Sequence, residues 1–151
     1  MECISVLLAA KSEASRALLE QSLTEWGYQI TSATDGEAAQ LLLQAAPFDI
    51  CILDWELPGV NGIEICRRLR ANQSDASPFV ILVASQEQVE TVLEEAQSQN
   101  EASANGYILE PVDLRHLRHR LAGFAQIVIF RRDVRTESVK KIDWTGGPAF
   151  S

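Results

Sequence analysis

A chain of 151 residues, 46% hydrophobic and 23% charged, is long enough to bury one core without disulfides or metal, and its composition excludes disordered and fibrous classes. The longest apolar runs, such as Ile50 to Leu53 and Phe79 to Ala84, are too short to cross a bilayer, and no basic segment precedes an apolar one near residue 1, so a cytoplasmic protein without membrane contact is expected. The net charge of −8 is uneven: residues 1–110 hold 17 acidic and 5 basic side chains, whereas residues 111–151 hold 4 and 8. An acidic body argues against a nucleic-acid partner, while the basic runs RHLRHR and RRDVR suit a solvated helix face or an acidic protein. Cys3, Cys51 and Cys66 are odd in number and lack CxxC or His-rich spacing, which points to buried thiols outside any disulfide. His116 and His119, one turn apart with no third ligand, read as surface residues, so no metal site is expected there.

Short apolar runs alternate with segments of helical period along the chain. Ile4 to Ala10 reads as a buried strand, followed by a helix from about Glu13 to Trp26 with Ala14, Leu18, Leu19 and Leu23 at helical spacing and Gly27 as its stop signal. Tyr28 to Ala33 is a second strand. Asp35 can cap a helix over Gly36 to Ala45, Pro47 breaks it, and Phe48 to Leu53 gives a third strand. After the turn ELPGVNG, Ile63, Ile65, Cys66 and Leu69 mark a third helix, and Pro78 introduces the strand FVILVA. Gln86 to about Gln99 reads as a fourth helix with Val89, Val92, Leu93 and Ala96 inward. Tyr107 to Leu109 is a short fifth strand, and from Val112 a fifth helix carries Leu114, Leu117, Leu121 and Phe124 on one stripe.

Five βα units with right-handed crossovers predict a doubly wound, five-stranded parallel sheet with helices on both faces. Sites in such sheets form beyond the C-terminal ends of the strands, which nominates Ala10, Lys11, Asp54, Ala84, Ser85 and Glu110. Among these Asp54 stands out. A carboxylate buried without partners costs roughly 2 kcal/mol or more, so an aspartate directly after an apolar strand is more often a site than a core residue.

The segment ILDWELPGVNG resembles the phosphoacceptor segment of response-regulator receiver domains, where a strand-terminal Asp precedes a Pro-Gly turn and a second Gly. The resemblance extends to SEASRALLEQSLTEWGYQI, TDGEAAQLLL, PFDICILD and GYILEPVD, covering about residues 4 to 124 in order. It implies a flavodoxin-like (βα)5 receiver fold and a two-component signalling role, in which a histidine kinase phosphorylates Asp54 and Mg2+ is held by that Asp and an acidic pair after the first strand. By position the acidic pair falls on Ala10 and Lys11, the phosphoryl-sensing Ser/Thr on Ala84, and the phosphoryl-pairing Lys on Glu110. A shift of one residue puts a hydroxyl there as Ser85. The switch aromatic falls on Tyr107 and the cis-proline on Pro111.

Mg2+ requires hard oxygen ligands, so Ala10 and Lys11 imply weak or absent Mg2+ binding and no other cofactor. Lys11 is expected to reach Asp54, Glu110 or both as a built-in cation. The resulting reading is a pseudo-receiver signalling module acting through protein contacts, not an enzyme. A working phosphorelay receiver phosphorylated on Asp54 is the alternative. A small hydrolase or phosphotransferase with Asp54 as nucleophile and Glu110 as acid or base lacks a supporting glycine loop or Ser/His/Asp grouping, and a flavin binder lacks its phosphate-wrapping run in AKSEAS.

Residues 1–124 then form the receiver domain, and residues 125–151 a C-terminal extension, either helical stalk or strand followed by a loose tail bearing Trp144. QIVIF is β-branched enough for a strand, yet Leu121, Phe124 and Val128 keep a helical spacing, with Gly123 against it. A histidine kinase or output domain is an expected partner, as is a second copy through helix five. Tyr107, Arg115 and Arg118 would supply the contact face.

Overall fold

Strands that read as unbroken apolar runs need cover on both faces. The computed structural model, which describes residues 3–71, 77–91, 94 and 104–143, provides it. In chain order the elements are β1 (Ser5–Ala9), α1 (Glu13–Glu25), β2 (Gln29–Ala33), α2 (Gly36–Ala45), β3 (Ile50–Asp54), α3 (Gly62–Ala71), β4 (Phe79–Ala84), a 3-10 turn (Gln86–Gln88), β5 (Gly106–Leu109) and a C-terminal helix (Leu114–Asp143). The strands pair in parallel in the order β2-β1-β3-β4-β5. This is the doubly wound, flavodoxin-like sheet that the sequence predicts.

Alternation along the central strands builds two cores. Leu7, Cys51, Leu53 and Leu82 face α2 and α3 through Ala39, Ile63, Ile65 and Cys66, while Leu8, Ile52 and Ile81 face α1 and the C-terminal helix through Leu19, Leu23, Leu117 and Leu121. The helix starts are set by side chains that satisfy orphan amides: Ser12 for α1, Asp35 for α2 (2.7 Å to the Ala38 N–H) and Asn61 for α3 (2.9 Å to the Glu64 N–H). Asp113 does the same for the C-terminal helix, accepting from the amides of Arg115 and His116.

Two local expectations change, and of the helix and strand alternatives after residue 125 the helix is found. In α1, adjacent Leu18 and Leu19 cannot both face the sheet, and the helix turns Leu19, Ser22 and Leu23 inward, leaving Leu18 half exposed and Ala14 on the surface. Cys3, ahead of β1, is exposed, whereas Cys51 and Cys66 are buried as thiols. Residues 127–130 lie inside the C-terminal helix, with Val128 buried in the core beside Ile4 and Phe79. Val89 is half buried; Val92, Leu93, Ala96 and Trp144 lie outside the described residues.

Two loops interlock below the strand ends. The Gly36 N–H donates to the Pro58 carbonyl at 2.9 Å, and a Cβ at Gly36 would sit 1.7 Å from the Val60 carbonyl oxygen. Gly62 likewise leaves room for the Asp54 carbonyl, which a Cβ would meet at 2.3 Å. These glycines let the turn after Asp54 close against α2.

Far from that turn, the C-terminal helix is fastened to the start of the sheet. Arg132 bonds the Asp49 carboxylate at 2.8 Å and the Cys3 carbonyl at 3.1 Å, and Asp49 also accepts the Ser5 N–H at 2.9 Å. Phe124 stacks on Phe79 with centroids 4.6 Å apart, and the Arg131 guanidinium lies 4.8 Å from the same Phe79 ring. Among the described residues no helix is long and apolar enough to cross a membrane.

Candidate functional site

The register Ala9↔Leu53 and Asp54↔Val83 brings the ends of β1, β3 and β4 level, and Ala84↔Leu109 adds the end of β5. Ala10, Lys11, Asp54, Ala84, Ser85 and Glu110 therefore meet along one edge of the sheet. Asp54 closes β3 with its side chain part-buried, and its Oδ2 accepts the Lys11 backbone N–H at 3.0 Å. Burial pushes the Asp54 carboxyl above the ordinary carboxylate range; the Lys11 N–H bond opposes this, the Glu110 charge pushes further up, and the Lys11 ammonium pulls down.

Around it, Ala10 and Ala84 are each only 1% exposed and offer methyl groups. Ser85 lies one residue past β4, and its N–H donates to Gln88 Oε1 at 2.8 Å. The Glu110 N–H donates to the Ala84 carbonyl at 2.8 Å, and the Glu110–Pro111 peptide is cis. Tyr107 is half buried against the core that contains Ala84.

Lys11 departs from expectation. Its ammonium lies 3.3 Å from Glu56 Oε2 and makes no hydrogen bond to Asp54 or Glu110 among the described contacts; the side chains of Lys11 and Glu56 are 53% and 64% exposed. The physical reason is solvation: next to the buried methyls of Ala10 and Ala84 an ammonium would lose water, whereas beside Glu56 it keeps its water and gains a carboxylate. Glu56 also takes a side-chain hydrogen bond from Gln88, the larger cause of its lowered pKa, with Lys11 second. A polar chain thus runs from Lys11 through Glu56 and Gln88 to the Ser85 amide, joining three loops around Asp54. Sequence reasoning missed Glu56 and Gln88; the position of Glu56 two residues past Asp54, in the turn leaving β3, was the available signal.

Because the Lys11–Glu56 pair is solvated, Lys11→Ala is expected to lower stability by less than about 1 kcal/mol in urea unfolding at neutral pH. A loss several times larger would mean that the ammonium holds buried charge. Asp54→Asn has the opposite sign. A raised folded pKa means that the folded state binds the proton more tightly than the unfolded chain, so stability falls as pH rises from the unfolded carboxylate pKa through the folded one. Asparagine removes that penalty and still accepts the Lys11 N–H. Thermal unfolding should therefore show Asp54→Asn raising Tm at pH 7 and leaving it unchanged at pH 3; the same change at both pH values would contradict this.

Among the described residues no group of three or more His, Cys, Asp and Glu is placed to hold a metal ion, and His116 and His119 are both exposed. Arg115 is exposed too, whereas Arg118 lies 5.7 Å from the Trp26 ring and belongs partly to the packing of α1.

The family model of the response regulator receiver domain matches residues 6–122. The chain belongs to this family. Curated relatives include the transcriptional regulatory protein AfsQ1 of Streptomyces coelicolor, 35% identical over 117 residues that make up 78% of this chain and 49% of AfsQ1. The phosphate regulon transcriptional regulatory protein PhoB of Rhizobium meliloti is 33% identical over 117 residues, 77% of this chain and 49% of that protein. This receiver chain thus spans about half the length of those two regulators. Chemotaxis protein CheY-3 of Vibrio cholerae is 28% identical over 119 residues, 78% of this chain and 88% of CheY-3. Among solved structures, the Francisella response regulator 1452 receiver domain superposes with a TM-score of 0.73 at 22% identity, covering 83% of this chain and 98% of that one, which supports the fold.

Proposed function

We propose that this receiver acts through protein contacts, with Asp54 at the phosphoacceptor position and Mg2+-dependent phosphorylation weakened or lost. The observation that carries the reading is the company Asp54 keeps: methyls at Ala10 and Ala84, the cationic side chain of Lys11, and the negative charge of Glu110, which raises its pKa. A Mg2+ site wants several hard oxygens, and a phosphoryl group on Asp54 wants a cation opposite it. Here the cation of Lys11 is turned to Glu56. The receivers' partner classes, a histidine kinase upstream and an output domain downstream, remain the partners for this surface. Asp54 itself is still at a strand end and part-exposed, which favours the second reading of a working phosphorelay receiver.

The test is intact-mass measurement after incubation with a small phosphodonor and Mg2+, beside Asp54→Asn. The expected result is no Asp54-dependent phosphoryl adduct. An adduct that requires both Mg2+ and Asp54 would establish the second reading.

A further inference from the structure

Helices α2 and α3 both start at the Asp54 end of the sheet, where the Gly36 N–H bonds the Pro58 carbonyl at 2.9 Å and Gly62 leaves room for the Asp54 carbonyl. Between the middle and last turns of the two helices, away from Asp54, a cavity of about 260 Å3 opens to the surface. Its floor is apolar: Ile65 is 1% exposed, and Leu43 and Leu69 are half buried. Its mouth is polar, with Gln40 and Gln44 from α2 and Arg68 from α3, and Arg68 Nη1 spans it to reach Gln40 Oε1 at 2.7 Å. An apolar hollow with a few placed polar groups is the usual form of a small-molecule site, and this one stands at the small end of the range, near 300 Å3.

Charge at the mouth is unbalanced. Residues 1–110 carry 17 acidic and 5 basic side chains, yet three of those five, Arg67, Arg68 and Arg70, fall in the second half of α3. Arg67 and Arg68 divide one carboxylate: Glu64 accepts Arg67 Nη1 at 2.8 Å and Arg68 Nε at 3.1 Å, and the two guanidiniums, Arg67 first, hold its carboxyl below the ordinary range. One positive charge is left over beside the cavity, and Arg68 Nη2 has no hydrogen-bond partner among the described residues. A guanidinium edge of this kind takes a carboxylate oxygen through charge-assisted hydrogen bonds.

We propose that this cavity binds a small organic monocarboxylate, with its apolar body on Leu43, Ile65 and Leu69 and its carboxylate on Arg68. Gln44 brings an amide that can donate to the second oxygen. One negative charge matches the one that Glu64 leaves uncompensated, which sets a monoanion apart from a neutral ligand of the same shape. Size sets the other limit: the space equals that of roughly nine water molecules at about 30 Å3 each, so the ligand holds about ten non-hydrogen atoms. This inference does not depend on whether Asp54 accepts a phosphoryl group.

NMR titration of the isotope-labelled full chain with phenylpropanoate, and in parallel with the neutral phenylpropanamide, tests it. The expected result is saturable binding of the acid, with shifts centred on the amides of α2 and α3, and about tenfold weaker binding of the amide. Arg68→Gln should bring the acid down to the level of the amide and leave the affinity for the amide unchanged, which a merely structural loss would not do. Leu43→Ser should weaken both ligands. Shifts that fail to saturate, equal binding of acid and amide by the unaltered chain, or a preference for the acid that survives Arg68→Gln would overturn the proposal.

Discussion

Cutting the chain after Phe124 is expected to lower the unfolding free energy of the remaining domain by roughly 3 kcal/mol. Val128 is 6% exposed in the core beside Ile4 and Phe79, and full burial of a valine contributes about 1.5 kcal/mol. The Arg132–Asp49 pair, with side chains 33% and 21% exposed, is charge-assisted and partly shielded, and contributes roughly 1 to 2 kcal/mol after screening. Arg132 also ties the helix to the Cys3 carbonyl just ahead of β1, so the cut frees both ends of the domain. Urea unfolding of the cut and uncut chains gives the comparison, and Arg132→Ala alone should give about half the loss. Equal stability of the cut and uncut chains would close the folding unit at residue 124.

Gly36→Ala should be as damaging through a single methyl. The new Cβ would lie 1.7 Å from the Val60 carbonyl oxygen, an atom of the backbone that cannot rotate aside, and the shift would also strain the 2.9 Å bond from the Gly36 N–H to Pro58. Overpacking of this kind costs roughly 3 kcal/mol, and here the displaced turn is the one that leaves Asp54. Urea unfolding followed by the emission of Trp55, buried next to Asp54, reads stability and local rearrangement together. Gly123→Ala is the matched control: its Cβ meets nothing, and alanine is favoured over glycine in a helix by about 0.5 to 1 kcal/mol. If Gly36→Ala left both stability and Trp55 emission unchanged, the interlock would not restrain the turn.

The sheet was legible because its information is local. Runs such as FVILVA admit one reading when Pro78 precedes them and a helical period follows, and Asp54 is marked by its position after ICIL. The direction of Lys11 was not legible, since a long flexible side chain with three carboxylates in reach is placed by solvation, and nothing in the order of residues ranks Glu56 above Asp54 or Glu110. Residues 125–132 were ambiguous for a related reason. Their helix is fixed by Val128 entering the core that also holds Ile4 and Phe79 and by Arg132 bonding Asp49, partners 83 positions apart in the last case. Two faces of α1 satisfied the same spacing until the sheet selected Leu19 and Leu23.

The strand order has a consequence for how the domain breathes. β3 lies between β1 and β4, with four of its five residues buried, whereas β2 is an edge strand with one of its five buried. Amide protons of β3 should therefore exchange with solvent only when the whole domain opens, while the outer edge of β2 exchanges through small local openings. Asp54 terminates one of the interior strands, so its backbone position should be lost only when the fold itself is lost.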